Sequence, residues 1–385
     1  MKKTWKKLAV LFVALVMAAN LPVFEGDKVF AAGESITAAT MNDSTSKKNA
    51  AVTISTPGRS EYVVYSIAVK NSGKLYVDAS ASSYNTYSVS IAVGTYSGST
   101  FSYDINTGNV SPGQVESGIG GCDVAAGKTY YVGIQSSYAA SAQITAYVIP
   151  YNTRTLKEGQ VMYASGYKGN KADSKACFKI VPSKTGYIKV DLKELGYDNS
   201  GGYVTLLNAN KKAVSEKLLY DSDSETSYVV FGVKKGKTYY LKVTGCVGSS
   251  AYRFAYAITY TNKAATLKNN TSKKKAVKLK RKAKAKSMTR VATGKKQNQW
   301  YKFKVTKKRK TQIKVDASLI KSGSATVTVY RGKKKVASTK MYAGKVYTYT
   351  VTYSTTYGKA NKGTYYVKVA TTAKCSGMYK IRYLK

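Results

Sequence analysis

The 385-residue chain contains no histidine. This absence excludes Ser-His-Asp triads, Cys-His nucleophiles and metal centres that use imidazole ligands. Acidic residues are also scarce, with 19 Asp and Glu against 63 Lys and Arg. The sequence shows no glycine-rich phosphate loop and no dinucleotide fingerprint. We therefore expect a protein that is not an enzyme, although a Ser-Lys or two-carboxylate mechanism stays formally open.

Cysteine is rare and widely spaced, with only Cys122, Cys177, Cys246 and Cys375 in the chain. A zinc site is not predicted, because no CxxC pair is present. Cys177 and Cys246 fall in the same internal repeat, described below, and an oxidising compartment permits a disulfide. They are the candidate disulfide pair, and the alternative is four buried or unpaired thiols.

Long hydrophobic runs are limited to one stretch of twelve residues, from Leu8 to Ala19. It is shorter than the roughly 20 residues that span a bilayer. Lysines precede it, and Val29-Phe30-Ala31 follows with the small residues of a cleavage site. This pattern predicts a signal peptide over residues 1–31 and a secreted protein, associated with the cell wall or cell surface. The alternative is an uncleaved membrane anchor.

Two short motifs occur three times each. The first contains paired tyrosines and reads Gly127–Ile134 (GKTYYVGI), Gly236–Val243 (GKTYYLKV) and Gly363–Val369 (GTYYVKV). The second ends in aspartate and reads Gly73–Asp78 (GKLYVD), Gly186–Asp191 (GYIKVD) and Lys310–Asp316 (KTQIKVD). The distance from this aspartate to the first tyrosine of the later motif is 52, 48 and 49 residues. Repeated order and spacing indicate three tandem copies of one module.

Both motifs alternate apolar and polar residues, as half-buried strands do. The 35 tyrosines, with many valines and threonines, also favour pleated surfaces. We predict an all-β protein of three β-sandwich modules. The predicted boundaries are 32–151 for module 1, 152–262 for module 2, 263–290 for a basic linker or arm, and 291–385 for module 3. Tyr130, Tyr239 and Tyr365 should face the module cores.

The Gly-x-Tyr-Tyr-Val-x-Val strand, preceded by a Gly-x-Leu-x-Val-Asp strand, resembles the bacterial pre-peptidase C-terminal domain. The resemblance implies a jelly-roll-like β-sandwich, related in fold to clostridial collagen-binding domains, in three tandem copies. It also implies a non-catalytic accessory or adhesive module of a secreted bacterial protein. Such domains usually accompany an enzyme, whereas this sequence shows no enzyme domain.

Acidic residues offer two candidate sites. In Asp221-Ser222-Asp223-Ser224-Glu225, oxygen ligands alternate and could converge on calcium, with Asp221, Asp223 and Glu225 as the ligands. A solvated acidic turn is the default reading, so no cofactor is predicted. Asp78, Asp191 and Asp316 recur at one position of the repeat, which favours a structural role in holding a strand-end turn.

Positive charge is concentrated in residues 263–385, which carry 35 Lys and Arg against one acidic residue. These residues therefore hold +34 of the formal net charge of +44. Such asymmetry creates a field that holds and steers a polyanion; the alternative is a surface that only keeps the chain soluble. The predicted polyanion-binding residues are Lys273, Lys274, Lys275, Lys278, Lys280, Arg281, Lys282, Lys284, Lys286, Lys307, Lys308, Arg309, Lys310, Lys333, Lys334 and Lys335.

The predicted function is that of a secreted, non-catalytic surface-binding protein. Its basic C-terminal module would hold it to anionic cell-wall polymer or a membrane surface. The alternative is an adhesin for a host matrix protein or a polysaccharide, because exposed tyrosines supply large contact areas at low entropic cost. Specific nucleic acid binding is not expected, since the sequence contains no RNA- or DNA-binding motif.

Overall fold

The computed structural model describes residues 35–58, 61–97, 100–103, 107–151, 153–165, 177–194, 202–220, 228–245, 255–342, 345–351 and 359–385. Throughout these ranges the chain forms strands, turns and loops, and no helix. The predicted all-β class is therefore confirmed. It also follows that no helix in this part of the chain is long and apolar enough to cross a membrane.

The strands fall into three successive groups, named here the first, second and third units. The first unit contains β1 (Ile36–Thr37), β2 (Ala39–Thr40), β3 (Val52–Pro57), β4 (Val63–Ala68), β5 (Gly73–Ala81), β6 (Val89–Ser97), β7 (Thr100–Tyr103), β8 (Gly108–Val110), β9 (Val115–Val124), β10 (Thr129–Gln135) and β11 (Ala139–Pro150). The second unit contains β12 (Arg154–Thr155), β13 (Met162–Ser165), β14 (Cys177–Ile180), β15 (Gly186–Glu194), β16 (Gly202–Asn208), β17 (Leu218–Tyr220), β18 (Val229–Val233), β19 (Tyr239–Gly245) and β20 (Ala255–Ala264). The third unit contains β21 (Val277–Lys278), β22 (Lys286–Arg290), β23 (Gln297–Val305), β24 (Arg309–Ser322), β25 (Ala325–Arg331), β26 (Lys334–Met341), β27 (Val346–Val351), β28 (Lys359–Ala360), β29 (Gly363–Thr371) and β30 (Ser376–Tyr383).

Strand order repeats from unit to unit. One sheet has the order β1-β4-β10-β6-β7 in the first unit, β12-β14-β19-β16-β17 in the second and β21-β23-β29-β25-β26 in the third. The other has the orders β2-β11-β5-β9, β13-β20-β15-β18 and β22-β30-β24-β27. The strand with paired tyrosines is third in every sheet of the first kind. The strand that contains the repeated aspartate is third in every sheet of the second kind.

Each unit encloses a buried cluster to which both of its sheets contribute, which gives the molecule its β-sandwich character. Val77 and Ile134 belong to the cluster of the first unit. Val190 and Leu241 belong to that of the second. In the third unit, every second residue of β29 from Tyr365 to Val369 is fully buried, as the alternation in the sequence predicts.

The first tyrosine of each pair faces a core, as predicted, with Tyr130, Tyr239 and Tyr365 at 9%, 5% and 0% exposure. Each hydroxyl also fixes the turn before its strand. The Tyr130 hydroxyl accepts a hydrogen bond from the backbone N–H of Ala125 (2.8 Å). The Tyr239 hydroxyl accepts one from Lys234 (3.2 Å). The Tyr365 hydroxyl instead donates to the carbonyl of Asn361 (3.0 Å). The repeat therefore preserves a packing and turn-fixing role.

The segment 263–290, predicted as a basic linker or arm, is instead partly built into the sheets through β20, β21 and β22. β20 continues to Ala264, which pairs with Gly186. β21 then pairs with β23, and β22 pairs with β30. Leu279 and Met288 are buried in the third core, between lysines that stay exposed. Apolar positions between the basic residues hold the backbone in place, so the repulsion between lysines does not free the segment.

The second and third units contact each other through the backbone of Gly232 on β18. Its N–H donates to the Ser376 hydroxyl (2.8 Å), and its carbonyl accepts from the N–H of Ala292 (2.9 Å). A Cβ at Gly232 would lie 1.9 Å from the carbonyl oxygen of Arg290, so a side chain does not fit. Ala292 is also part of the second buried cluster, which ties the two units together.

The first and second units meet at Arg154. Its Nη1 donates to the carbonyl oxygen of Asn42 (2.6 Å), and its Nη2 donates to that of Tyr163. Burial lowers the pKa of this guanidinium to about 10. A small apolar cluster that includes Met41, Tyr147 and Tyr163 lies beside this contact.

Candidate polyanion-binding surface

Positive charge in the third unit has almost no internal counterpart. The single acidic side chain of residues 263–385 is Asp316, whose carboxylate accepts hydrogen bonds from the backbone N–H (3.0 Å) and hydroxyl (2.6 Å) of Ser318. Burial raises the pKa of this carboxyl, but Ser318, Lys380 and Lys314 outweigh that effect and hold the pKa below its ordinary value. The carboxylate therefore stays ionised, and its bonds to Ser318 lie at a register shift inside β24 rather than at the predicted strand-end turn.

Asp78, its equivalent in the first unit, also accepts a backbone hydrogen bond, from Gly118 (3.0 Å), and forms an ion pair with Lys48. At Asp191 burial raises the pKa of the carboxyl. The repeated aspartate therefore accepts hydrogen bonds at two of the three positions, but all three residues lie within strands, so the predicted role in a strand-end turn was wrong.

Two of the predicted lysine clusters meet directly. Lys333, Lys334 and Lys335 lie at the tip of the β25–β26 hairpin, next to Gly332, whose φ of +56° suits glycine. Lys273 reaches this hairpin, and its Nζ donates to the Gly332 carbonyl. The cluster of residues 273–275 therefore lies against that of residues 333–335.

The third cluster, Lys307 to Lys310, surrounds the turn between β23 and β24 at the same end of the unit. Val305 pairs with Gly363, and Lys310 pairs with Lys359. The Arg331 Nη2 donates to the Lys362 carbonyl (3.1 Å), which joins the β25–β26 hairpin to this region. Backbone pairing therefore brings together clusters that lie far apart in the sequence.

Residues 280–286 reach the same end through the C-terminus of the chain. The Lys282 N–H donates to the Tyr383 carbonyl (2.9 Å), and the Gln312 N–H donates to that of Lys385 (3.1 Å). Gln312 follows directly on the cluster that ends at Lys310. Together, the sixteen predicted basic residues form what is here called the basic end of the third unit. Fourteen of them are exposed, and Lys273 and Arg309 are half-buried.

The Arg309 side of the basic end lies away from the second unit. β24 begins at Arg309, in the basic end, and finishes at Ser322, whose hydroxyl accepts from the backbone N–H of Glu216 in the second unit (2.8 Å). A strand rises about 3.3 Å per residue, so these two ends are roughly 40 Å apart. A polymer can therefore approach the Arg309 side of the basic end without contact with the second unit.

Two predicted features are not placed. Cys246 and the calcium candidates Asp221, Asp223 and Glu225 lie outside the described residues. Cys177 is buried at 1% exposure on β14, and its pairing with Cys246 stays a prediction. Within the ranges that the structure covers, no group of three or more Cys, Asp or Glu is placed to hold a metal ion.

The sequence patterns did not single out one further set of side chains. Trp300, Lys302, Tyr330, Tyr366 and Lys368 are half-buried on the outer face of the β21-β23-β29-β25-β26 sheet. The alternation of apolar and polar residues along β23 and β29 could have predicted that Trp300, Lys302, Tyr366 and Lys368 lie on the outer face of the sheet. Only the register between strands shows that they are neighbours.

No family model matches the chain, and no curated protein matches it. Tripeptidyl peptidase 2 is similar over 90% of this chain, at 10% identity and a TM-score of 0.24, and the chain covers 32% of that protein. A structure that describes the triple jelly roll fold and turret assembly in an archaeal virus is also similar, at 8% identity and a TM-score of 0.23. The match covers 89% of this chain and 88% of the viral chain. A Clostridium perfringens structure with an M60 catalytic domain and two CBM51 domains is similar at 11% identity and a TM-score of 0.19. The match covers 92% of this chain and 37% of the Clostridium perfringens chain. These likenesses are too weak to carry a functional argument.

Proposed function

We propose that this chain is a secreted, non-catalytic bacterial protein that binds anionic cell-wall polymer through the basic end of its third unit. The observation that carries the proposal is the convergence of clusters of basic residues towards one end of a unit with a single acidic side chain. A general need for solubility would not require this concentration. Exposed positive charges on a unit with so few acidic side chains attract a polyanion.

The architecture proposed for this function is three tandem jelly-roll-like modules after a cleaved signal peptide over residues 1–31. Strand order and core composition support module boundaries near residues 151 and 264. We also propose that each module is similar to a bacterial pre-peptidase C-terminal domain. In this arrangement, the first two modules act as a spacer or face a second ligand.

A second candidate function is adhesion through tyrosines of the first unit. Tyr84 is 96% exposed, and Tyr87 and Tyr138 are 52% and 54% exposed. The rings of Tyr87 and Tyr138 stack with their centroids 4.6 Å apart. Asn85 fixes this loop by exchanging hydrogen bonds with the backbone of Ser141 (2.9 and 3.1 Å). Rigid, exposed aromatic rings are suited to a matrix protein or a polysaccharide.

A pull-down on purified walls distinguishes the two candidates. The protein is expected to bind walls that carry teichoic acid, and to be lost from walls from which teichoic acid has been extracted, because that polymer supplies the phosphates. Equal retention on both wall preparations would contradict the charge-based proposal. Retention that also requires Tyr84, Tyr87 and Tyr138 would support adhesion through the first unit instead.

A further inference from the structure

The outer sheet face of the third unit combines aromatic rings with lysines. Along β23 and β29, Tyr301, Phe303, Tyr365 and Val367 point into the core and are fully buried. Residues between them must point outward, because side chains alternate across a strand. Trp300 and Lys302 on β23, and Tyr366 and Lys368 on β29, are therefore on the solvent side, where they are half-buried.

Register makes these side chains a continuous surface. Trp300 pairs with Lys368, and Lys302 pairs with Tyr366. Tyr366 in turn pairs with Tyr330 on β25. The centroids of the Trp300 and Tyr330 rings are 5.6 Å apart at an angle of 32°. The surface formed by Trp300, Tyr330, Tyr366, Lys273, Lys302 and Lys368 is named here the aromatic–lysine face.

Ammonium groups lie over the rings of this face. The Nζ of Lys273 is 4.5 Å from the centroid of the Tyr366 ring. The Nζ of Lys368 is 5.8 Å from that of Trp300. Such contacts hold a cation beside an apolar ring without neutralising it. The face therefore offers apolar ring surface and positive charge within a few ångströms of each other.

The face is open towards solvent because the second unit contacts the third on its other sheet. Gly232 reaches Ser376 on β30, and β30 belongs to the β22-β30-β24-β27 sheet. Lys273, which crosses the aromatic–lysine face, also touches the hairpin of the basic end through Gly332. The face and the basic end thus form one continuous positive surface.

We infer that the aromatic–lysine face binds an anionic polysaccharide, in which sugar rings pack on the aromatic rings and carboxylate or phosphate groups meet the lysines. The inference rests on the proposed function and narrows its ligand to a polyanion with sugar rings. Sugar rings present apolar C–H groups on their faces, which complement the electron-rich faces of Trp and Tyr. A polymer with charge alone would satisfy the lysines and leave the rings without a role.

Single-stranded nucleic acid is less well matched to this geometry. Bases stack flat on open aromatic faces. Here the ammonium groups of Lys273 and Lys368 lie over Tyr366 and Trp300, where a base would stack. A sugar acid can contact the exposed part of the ring while its carboxylate binds the same ammonium group.

The second unit shows a related arrangement on the equivalent sheet. The Nζ of Lys217 is 4.0 Å from the Tyr203 ring centroid, and that of Lys211 is 5.4 Å from the Tyr240 ring centroid. Tyr240 and Tyr366 are equivalent in the sequence repeat. A recurring combination of ring and lysine suits a ligand that is itself a repeating polymer.

Tryptophan fluorescence tests the inference directly. The chain has two tryptophans, Trp5 and Trp300, and Trp5 lies in the expected signal peptide. In the mature chain, or in an unprocessed chain with Trp5→Phe, the emission therefore reports on Trp300 alone. Polygalacturonate, which has sugar rings and carboxylates, is expected to shift or quench this emission. Polyphosphate, which has charge and no rings, is expected to bind and leave the emission nearly unchanged.

Substitution of the rings gives the second readout. Trp300→Ala with Tyr366→Ala should weaken polygalacturonate binding roughly tenfold to hundredfold, on the scale of two lost aromatic contacts. Polyphosphate binding should change by less than about threefold, because the lysines remain. The matched control is Tyr103→Ala with Tyr342→Ala, two exposed rings outside both proposed binding surfaces, which should change neither affinity. Thermal unfolding of each variant verifies that the third unit is intact.

Three results would overturn the inference. One is equal binding of polygalacturonate to the ring variant and to the unmodified chain, with no change in Trp300 emission. Another is an equal loss of polyphosphate and polygalacturonate binding in a folded ring variant. The third is tighter binding of single-stranded oligo(dT), with a larger emission change, which would assign the face to nucleic acid. Failure of the unmodified chain to bind either polyphosphate or polygalacturonate would instead contradict the proposed function itself.

Discussion

Replacing nine basic residues of the third unit by glutamine is expected to lower its affinity for wall teichoic acid about 100- to 1,000-fold. Exposed charge pairs contribute about 0.2 to 1 kcal/mol each; at about 0.3 to 0.45 kcal/mol, in the lower half of that range, nine together contribute about 2.7 to 4 kcal/mol. A single substitution should change the affinity less than about threefold, because no one lysine dominates a diffuse surface. The nine residues are Lys273, Lys274, Lys275, Lys278, Lys280, Arg281, Lys282, Lys284 and Lys286.

The matched control removes the same charge elsewhere. It replaces nine exposed lysines of the first two units by glutamine, namely Lys47, Lys70, Lys128, Lys157, Lys193, Lys212, Lys234, Lys235 and Lys237. Both variants lose nine positive charges, but only the first loses them from the third unit. Equal loss of binding in both variants would show that the affinity for teichoic acid depends on the net charge of the whole chain and not on the position of the charges in the basic end. Calorimetric titration with purified teichoic acid gives the affinities.

Truncating Tyr239 to alanine is expected to destabilise the second unit by about 3 to 5 kcal/mol, the usual cost for a buried aromatic side chain. Tyr239 is 5% exposed within the second core, and its hydroxyl accepts the backbone N–H of Lys234. The substitution leaves a cavity and also removes that acceptor. Urea unfolding followed by circular dichroism measures the change in the free energy of unfolding.

The neighbouring tyrosine provides the control. Tyr240 is half-buried on the outer face of the same strand, so Tyr240→Ala should cost less than about 1.5 kcal/mol. Tyr239→Phe keeps the ring and removes only the hydroxyl, so it should cost about 1 kcal/mol. A larger loss for Tyr240→Ala than for Tyr239→Ala would mean that the assignment of the strand faces is reversed.

Alternation of residues allowed much of the fold to be predicted. The β class and the inward direction of Tyr130, Tyr239 and Tyr365 follow from a period of two, which depends on the local backbone alone. The 263–290 segment could not be predicted in this way. Lysines dominate its composition and obscure the three apolar residues Ala276, Leu279 and Met288. Only the packing of β21 and β22 against the rest of the unit shows why those three positions are apolar.

The candidate site was predicted residue by residue but not as a surface. Lysine counts identified the clusters at residues 273–286, 307–310 and 333–335. Their convergence depends on contacts between residues far apart in the chain, such as Lys273 with Gly332 and Arg331 with Lys362. The aromatic–lysine face was missed for the same reason, since Trp300 and Tyr330 are thirty positions apart and meet across β29.

The salt dependence of teichoic acid binding tests the central claim most directly. Binding that releases counterions weakens linearly in a plot of log affinity against log salt, with a slope proportional to the number of neutralised charges. If the nine replaced residues engage the polymer, a slope of about −6 is expected for the intact chain, and a much shallower slope for the nine-residue variant. The account predicts loss of binding well below 1 M salt. Binding that survives molar salt, or an unchanged slope in the variant, would contradict it.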